Sequence, residues 1–232
     1  MSRLSKQIVI ALIFILIISL PVILFYVFRD KEAVIIQEKP NLSNLTLTKT
    51  KAVKVNQDKY DLIARIKNPN PNHGAKDFSY SFIFIDESGK QVDEFKGKGY
   101  ILPSETKYLV IPGVKLKTSK TDFKFKINEI EWLEFTDSFP SLPIFEKNLN
   151  LNQPSEGFAS FDGVVLNKGL IRYDEVEIII ILLDELDEIL TINFTTLPTI
   201  SSGEKKNFTL IWSEPFEGKP TKFDIQAYVN PF

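Results

Sequence analysis

Cysteine is absent from the sequence, and histidine and methionine occur once each. No disulfide framework, Cys-based metal or Fe–S site, or thiol nucleophile can be built from such a chain. The lone imidazole, His73, lies in a Pro/Asn-rich stretch with no companion motif, so it reads as an exposed loop residue rather than a catalytic base. Clusters of His or Cys around a metal are excluded by count. No G-x-G-x-x-G, P-loop or G-x-S-x-G occurs. Charge of one sign is also lacking: the net charge is −2, which gives no footprint for nucleic acid. No stretch keeps a 3.6-residue apolar period with caps at both ends, so long amphipathic helices are not expected.

One feature is present in full. Ile8 to Phe28 is an uninterrupted apolar run without charge, Asn or Gln, in which only Ser19 and Tyr26 carry polar side-chain atoms. As a helix it would rise about 31 Å at ~1.5 Å per residue, matching the ~30 Å hydrocarbon core of a bilayer. A cleaved signal peptide is the competing reading. Such peptides have apolar cores of roughly 7 to 15 residues followed by small residues. This run is longer and ends in Leu24-Phe25-Tyr26-Val27-Phe28-Arg29, with no A-x-A-like site, so a retained signal anchor is expected. Pro21 is tolerable inside a membrane helix. Arg3 and Lys6 precede the run, and a short basic tail before an export signal stays inside. The expected topology is a cytoplasmic tail at 1–7, a transmembrane helix at 8–28, and the remainder outside the cytoplasm at the cell membrane.

After a polar spacer at 29–48, short runs rich in Ile, Val, Phe, Tyr and Thr alternate with turn clusters such as Asp86-Glu87-Ser88-Gly89 and Pro112-Gly113. This is the pattern of an all-β ectodomain. Within it the sequence resembles itself at a period of about 99 residues. Ala64-Arg65-Ile66-Lys67-Asn68 returns as Gly163-Val164-Val165-Leu166-Asn167, and Phe82-Ile83-Phe84-Ile85-Asp86-Glu87 returns as Ile180-Ile181-Leu182-Leu183-Asp184-Glu185. Leu102-Pro103-Ser104-Glu105 answers Ser201-Ser202-Gly203-Glu204, and Thr121-Asp122-Phe123 answers Thr221-Lys222-Phe223. Two tandem immunoglobulin-like β-sandwiches are expected, at 49–136 and 153–232, each of six to seven strands. The stretch 137–152, DSFPSLPIFEKNLNLN, carries two prolines and reads as a short stiff linker.

The order of an apolar strand ending in Asn, an apolar strand ending in Leu/Phe-x-Asp, a Gly or acidic turn, Pro/Ser-Gly-Glu and an alternating strand resembles the small bacterial FxLYD-type domains and the related late-embryogenesis-abundant type 2 sandwich. Gly163 to Gly169, Ile181 to Glu185 and Ser202 to Phe208 carry the better match. Leu183 stands where the family has tyrosine, and Ile85 stands there in the first repeat. The resemblance implies a fold and no function.

The remaining candidates are polar clusters. Asp184, Glu185, Asp187 and Glu188 could present oxygens to Ca²⁺ but lack the D-x-D-x-D-G spacing, so a solvated turn is expected. Trp132 and Trp212 read as packing residues. From Lys49 to Thr136 there are 16 basic and 12 acidic residues, and from Phe145 to Phe232 there are 7 and 14, so the first repeat is basic and the second acidic. That asymmetry suits attraction to anionic lipid or wall polymer, attraction between neighbouring molecules, or two unrelated solvated surfaces. No catalytic, cofactor-binding or metal residue is assigned, and no cofactor. The expected partners are the bilayer, through Ile8 to Phe28, and an envelope protein or wall polymer, with no nucleic acid. The expected role is non-catalytic, structural or protein-interacting, at the cell envelope. Alternatives are an accessory subunit of a secretion, pilus or wall-synthesis assembly, and a hydrolase with carboxylates converging between the repeats.

Overall fold

The computed structural model describes residues 3–28, 41–56, 58–116, 122–136, 139–151 and 158–232. Most of the spacer expected at 29–48 lies outside the described residues. The chain divides into two compact units, Met1–Asn41 and Leu42–Phe232.

The first unit holds one helix, α1, at Arg3–Phe28. It begins five residues before the apolar run, because Arg3, Leu4 and Lys6 are all compatible with helical backbone. It continues through Pro21, and the Ser19 hydroxyl donates to the Leu16 carbonyl at 3.4 Å. Among the described residues α1 is the one helix long and apolar enough to cross a membrane, a property that cleaved signal sequences share.

Among the described residues the second unit holds strands and no helix. Its first repeat contributes β1 (Thr46–Lys54), β2 (Lys59–Lys67), β3 (His73–Ile85), β4 (Gln91–Ile101), β5 (Thr106–Lys115) and β6 (Asp122–Glu134). The second repeat contributes β7 (Ile144–Leu151), β8 (Ala159–Leu166), β9 (Tyr173–Leu183), β10 (Ile189–Ile200), β11 (Lys205–Trp212) and β12 (Lys222–Tyr228). They form four antiparallel three-stranded sheets, ordered β1-β2-β5, β4-β3-β6, β7-β8-β11 and β10-β9-β12. Strand for strand, the second repeat has the topology of the first.

Two of the expected boundaries shift. The segment read as a linker at 137–152 contains β7, which pairs with β8 from Ile144↔Val165 to Leu151↔Ala159. Pro140 and Pro143 suggested a linker, but both precede the strand, where a missing N–H costs no ladder bond. The second repeat thus starts before 153. Likewise β1 starts at Thr46 with Leu45 already buried, ahead of the expected 49.

Period-2 alternation builds each core. In β3, Phe78, Tyr80, Phe82 and Phe84 point inward, with Phe82 5.0 Å from Phe125 and Phe84 5.3 Å from Phe123 between ring centroids. These rings meet Leu62, Ala64, Ile66 and Leu109 of the facing sheet. The second core repeats the plan with Val176, Ile178, Ile180 and Leu182 against Phe161, Val165, Phe208 and Leu210. The turns repeat as well. Asn68 Nδ2 donates to the carbonyls of His73 and Leu102, while Asn167 Nδ2 donates to those of Ile171 and Ile200. Glu105 accepts from the Leu102 N–H at 2.7 Å, and Glu204 from the Ser201 N–H at 2.7 Å. Residue 104 of the first turn and 203 of the second both adopt positive φ, 57° for Ser104 and 74° for Gly203, a backbone that glycine adopts more readily.

Candidate functional site

A third apolar cluster lies between the repeats. Val53, Ile63 and Tyr108 from the outer face of β1-β2-β5 pack on Ile179, Ile181, Ile189, Ile192 and Tyr228 from the outer face of β10-β9-β12. Ile63 and Ile181 are fully buried. Each such side chain contributes about 1.5–3 kcal/mol on burial, so a handful of them outweighs any plausible set of surface ion pairs. The two repeats therefore share a buried seam instead of hanging from a linker.

Polar groups run along the seam. The Tyr108 N–H donates to Tyr228 Oη at 3.2 Å, and Tyr108 Oη donates to Asp224 Oδ2 at 3.0 Å. Tyr228 Oη in turn donates to Gln226 Oε1. Burial and the nearby Asp224 carboxylate raise the Tyr108 phenol, and burial raises Tyr228 well above its ordinary value. Next to Tyr108 in sequence is Lys107, 3% exposed. Its ammonium has no hydrogen-bond partner and sits 3.3 Å from the Tyr100 ring centroid and 4.4 Å from that of Tyr228. Cation–π attraction and the carboxylates of Glu105 and Glu177 offset only part of the desolvation, and the Lys107 pKa falls to about 8. Glu105 is raised by burial, opposed by its bond from the Leu102 N–H and by Lys107.

The acidic cluster expected as a solvated turn also joins the seam. Asp184 Oδ1 accepts the N–H groups of Leu186 and Glu188, as Asp86 Oδ1 accepts those of Ser88 and Lys90. The hairpin is thus shaped by an aspartate in both repeats. In the second repeat it reaches the first: Lys49 Nζ donates to the Asp187 carbonyl, and Glu188 lies 3.2 Å from Lys49 and 3.7 Å from Lys51. Asp187 pairs with Lys222 at 2.7 Å, which lowers its pKa. Part of the charge asymmetry between the repeats is therefore met within one chain. Among the described residues no three His, Cys, Asp or Glu side chains are grouped so as to hold a metal.

His73 is not in a loop. It is half-buried as the first residue of β3, paired with Glu134, because Asn68 holds the His73 carbonyl and starts the strand there. Trp132 packs at the edge of the first core, and Trp212 is buried in the second, where its Nε1 donates to Thr191 Oγ1 at 3.2 Å.

Open clefts flank the seam. One, of about 560 Å³, lies between Lys51–Asn56 and Ile189, Leu190, Glu214 and Glu217. Another, of about 800 Å³, is lined by Tyr100 of the first repeat and Ile171, Arg172, Glu175, Glu177 and Phe232 of the second. Phe232 also reaches back to the first repeat, its ring 5.7 Å from Phe135 and 6.4 Å from Tyr100 between centroids.

The sequence reading did not place Lys107, Tyr108, Glu177, Asp224 or Tyr228. A signal was available in the run Val176-Glu177-Ile178-Ile179-Ile180-Ile181-Leu182-Leu183. Six consecutive large aliphatic residues indicate a strand buried on both faces. At the matching positions β3 has Ser79 and Ser81 where β9 has Glu177 and Ile179.

No known protein family matches the sequence, and no curated protein does. Among solved structures, red sea bream transglutaminase is similar over 80% of this chain at 10% identity and a TM-score of 0.27. The chain spans 29% of the length of that structure.

Proposed function

We propose that the chain is a single-pass membrane protein whose α1 is a retained signal anchor, cytoplasmic at its N-terminus, and whose two repeats are immunoglobulin-like sandwiches of the FxLYD or late-embryogenesis-abundant type 2 kind outside the cytoplasm. They serve as a non-catalytic structural or protein-interaction module of the cell envelope. Its partners are the bilayer, through Ile8 to Phe28, and an envelope protein or wall polymer.

The observation that carries this reading is where the buried polar groups are bonded. Asn68, Asn167 and Glu105 hold turns, and Tyr108, Tyr228 and Asp224 join the repeats. Chemistry on a substrate would need polar groups that are both unengaged and within its reach, and Lys107, which has no hydrogen-bond partner, is sealed against the Tyr100 and Tyr228 rings. A fixed pair of domains is what a spacer or docking platform requires.

The test uses the intact protein in its own cells. Membranes washed with alkaline carbonate should retain a chain whose N-terminal peptide includes Ile8 to Phe28. Protease added outside whole cells should remove the repeats, and cross-linking should capture envelope components. A mature chain beginning beyond Phe28, or repeats fully protected in intact cells that become cleavable after lysis, would overturn it.

A further inference from the structure

The larger cleft combines two properties that solvent alone does not explain. Ile171, 59% exposed, lines it, and Leu170, 92% exposed, is the preceding residue of the same loop between β8 and β9. Tyr100 and Phe232 also line it, and from Phe232 the rings continue to Phe135 and Phe139, with successive centroid separations of 6.4, 5.7 and 5.2 Å. Phe139 is itself more than half exposed. Contiguous apolar surface of this kind marks interaction sites more often than scattered single residues do. Carboxylates outnumber cations in the lining, with Asp174, Glu175 and Glu177 against Arg172. Arg172 pairs with Asp174 at 2.9 Å and Glu177 acts on the buried Lys107, which leaves Glu175 as the carboxylate for an incoming group.

We propose that this cleft docks an extended peptide segment of a partner protein in which apolar side chains alternate with lysine or arginine. This rests on the protein-interaction reading above and names the partner's chemistry. A volume of about 800 Å³ is in the range that encloses a few side chains. Apolar groups would bury Ile171 and the Phe232 ring, and a cation would meet Glu175. The same features disfavour other ligand classes. Phosphate or sulfate chains are repelled by the carboxylates, and a glycan would leave hydroxyls unpaired against Leu170 and Ile171.

The experiment uses the full chain in nanodiscs of zwitterionic lipid, which do not themselves attract cationic peptides. The probes are short fluorescein-labelled peptides: one alternating Lys with Leu and Phe, a twin with Glu for Lys, and a twin with Ser for Leu and Phe. A chitin oligosaccharide serves as competitor. The basic apolar peptide should bind with Kd on the order of 10 μM, and each twin should bind about tenfold more weakly. Ile171→Ser and Glu175→Lys, both at exposed positions, should each weaken binding by about tenfold. Leu186→Ser, an equally exposed aliphatic site in the β9–β10 turn, should leave it unchanged. Equal binding of the twins, indifference to both cleft variants, or displacement by the oligosaccharide would overturn the proposal. Failure of the chain to insert into nanodiscs would count against the anchor reading, whereas an inserted chain that ignores the peptide counts against the cleft alone.

Discussion

Lys107 and Lys206 occupy the same place in the two repeats, opposite Ile66 in β2 and Val165 in β8, yet their ammonium groups meet different surroundings. Lys206 donates to the carbonyls of Pro198 and Thr199. Lys107 is sealed between Tyr100 of its own repeat and Tyr228 of the second, with no hydrogen-bond partner. The seam has converted an ordinary edge lysine into a buried charge.

That burial makes a pH prediction. The folded pKa of Lys107 is about 8, below its ordinary value near 10.5. Below pH 8 the lysine is charged in both states, and folding bears the net penalty left after the Glu105 and Glu177 attractions, about 3 kcal/mol. Between about pH 8 and 10 the unfolded chain holds the proton that the folded chain has lost, so stability rises with pH. Above about pH 10 the raised phenols of Tyr100, Tyr108 and Tyr228 reverse the trend, since the unfolded tyrosines ionise first. Lys107→Met should raise stability at pH 7 by about 1–2 kcal/mol and flatten the rise between pH 8 and 10. Denaturant titrations of wild type and variant across that range check both.

The apolar part of the seam, and not its ion pairs, should hold the repeats together. Ile181→Ala removes a fully buried side chain and should cost about 2–4 kcal/mol. Glu188→Gln removes two pairs with half-exposed partners and should cost less than about 1 kcal/mol, with the difference vanishing in high salt. A larger loss from Glu188→Gln than from Ile181→Ala would reverse this ranking.

Gly74 and Phe232 provide a double-mutant cycle across the repeats. A Cβ on Gly74 would stand 2.6 Å from Phe232 Cζ and 3.1 Å from the Ile101 carbonyl oxygen. Gly74→Ala must therefore displace the ring from its place beside Phe135, at a cost of about 1–3 kcal/mol. In a Phe232→Ala background much of that cost should disappear, giving a coupling energy of about 1 kcal/mol. Additive losses would mean that the ring is not seated there.

How much of this was legible follows the reach of each signal. The all-β character and the turns at Asn68 and Asn167 were readable because each depends on residues near one another in sequence, and the duplication because those local patterns recur at a constant spacing. Pro140 and Pro143 misled because proline signals a break and cannot report that a strand begins right after it. His73 misled for a related reason: the strand start is set by the distant side chain of Asn68. The seam depends on which of two identical topologies turns an apolar outer face toward the other. Only a position-by-position comparison of the repeats, with Ile179 against Ser81, carries that information.

The asparagines ending β2 and β8 should be among the least replaceable residues. Asn68 and Asn167 are fully buried, and each side chain makes two carbonyl bonds with its Nδ2. Each Oδ1 accepts a backbone N–H two residues on, from Asn70 at 3.0 Å or Gly169 at 2.8 Å. Asn167→Ala leaves those groups buried and unpaired, at about 1–3 kcal/mol for each one that water cannot reach. Asn167→Asp replaces the donor by an acceptor facing the Ile171 and Ile200 carbonyls, so it should destabilise more than alanine and recover partly at low pH, where a protonated carboxyl can donate again. Thermal unfolding of both variants at pH 4.5 and 7.5 checks the order. An aspartate variant as stable as wild type at pH 7.5 would show that the Nδ2 bonds do not hold the turn.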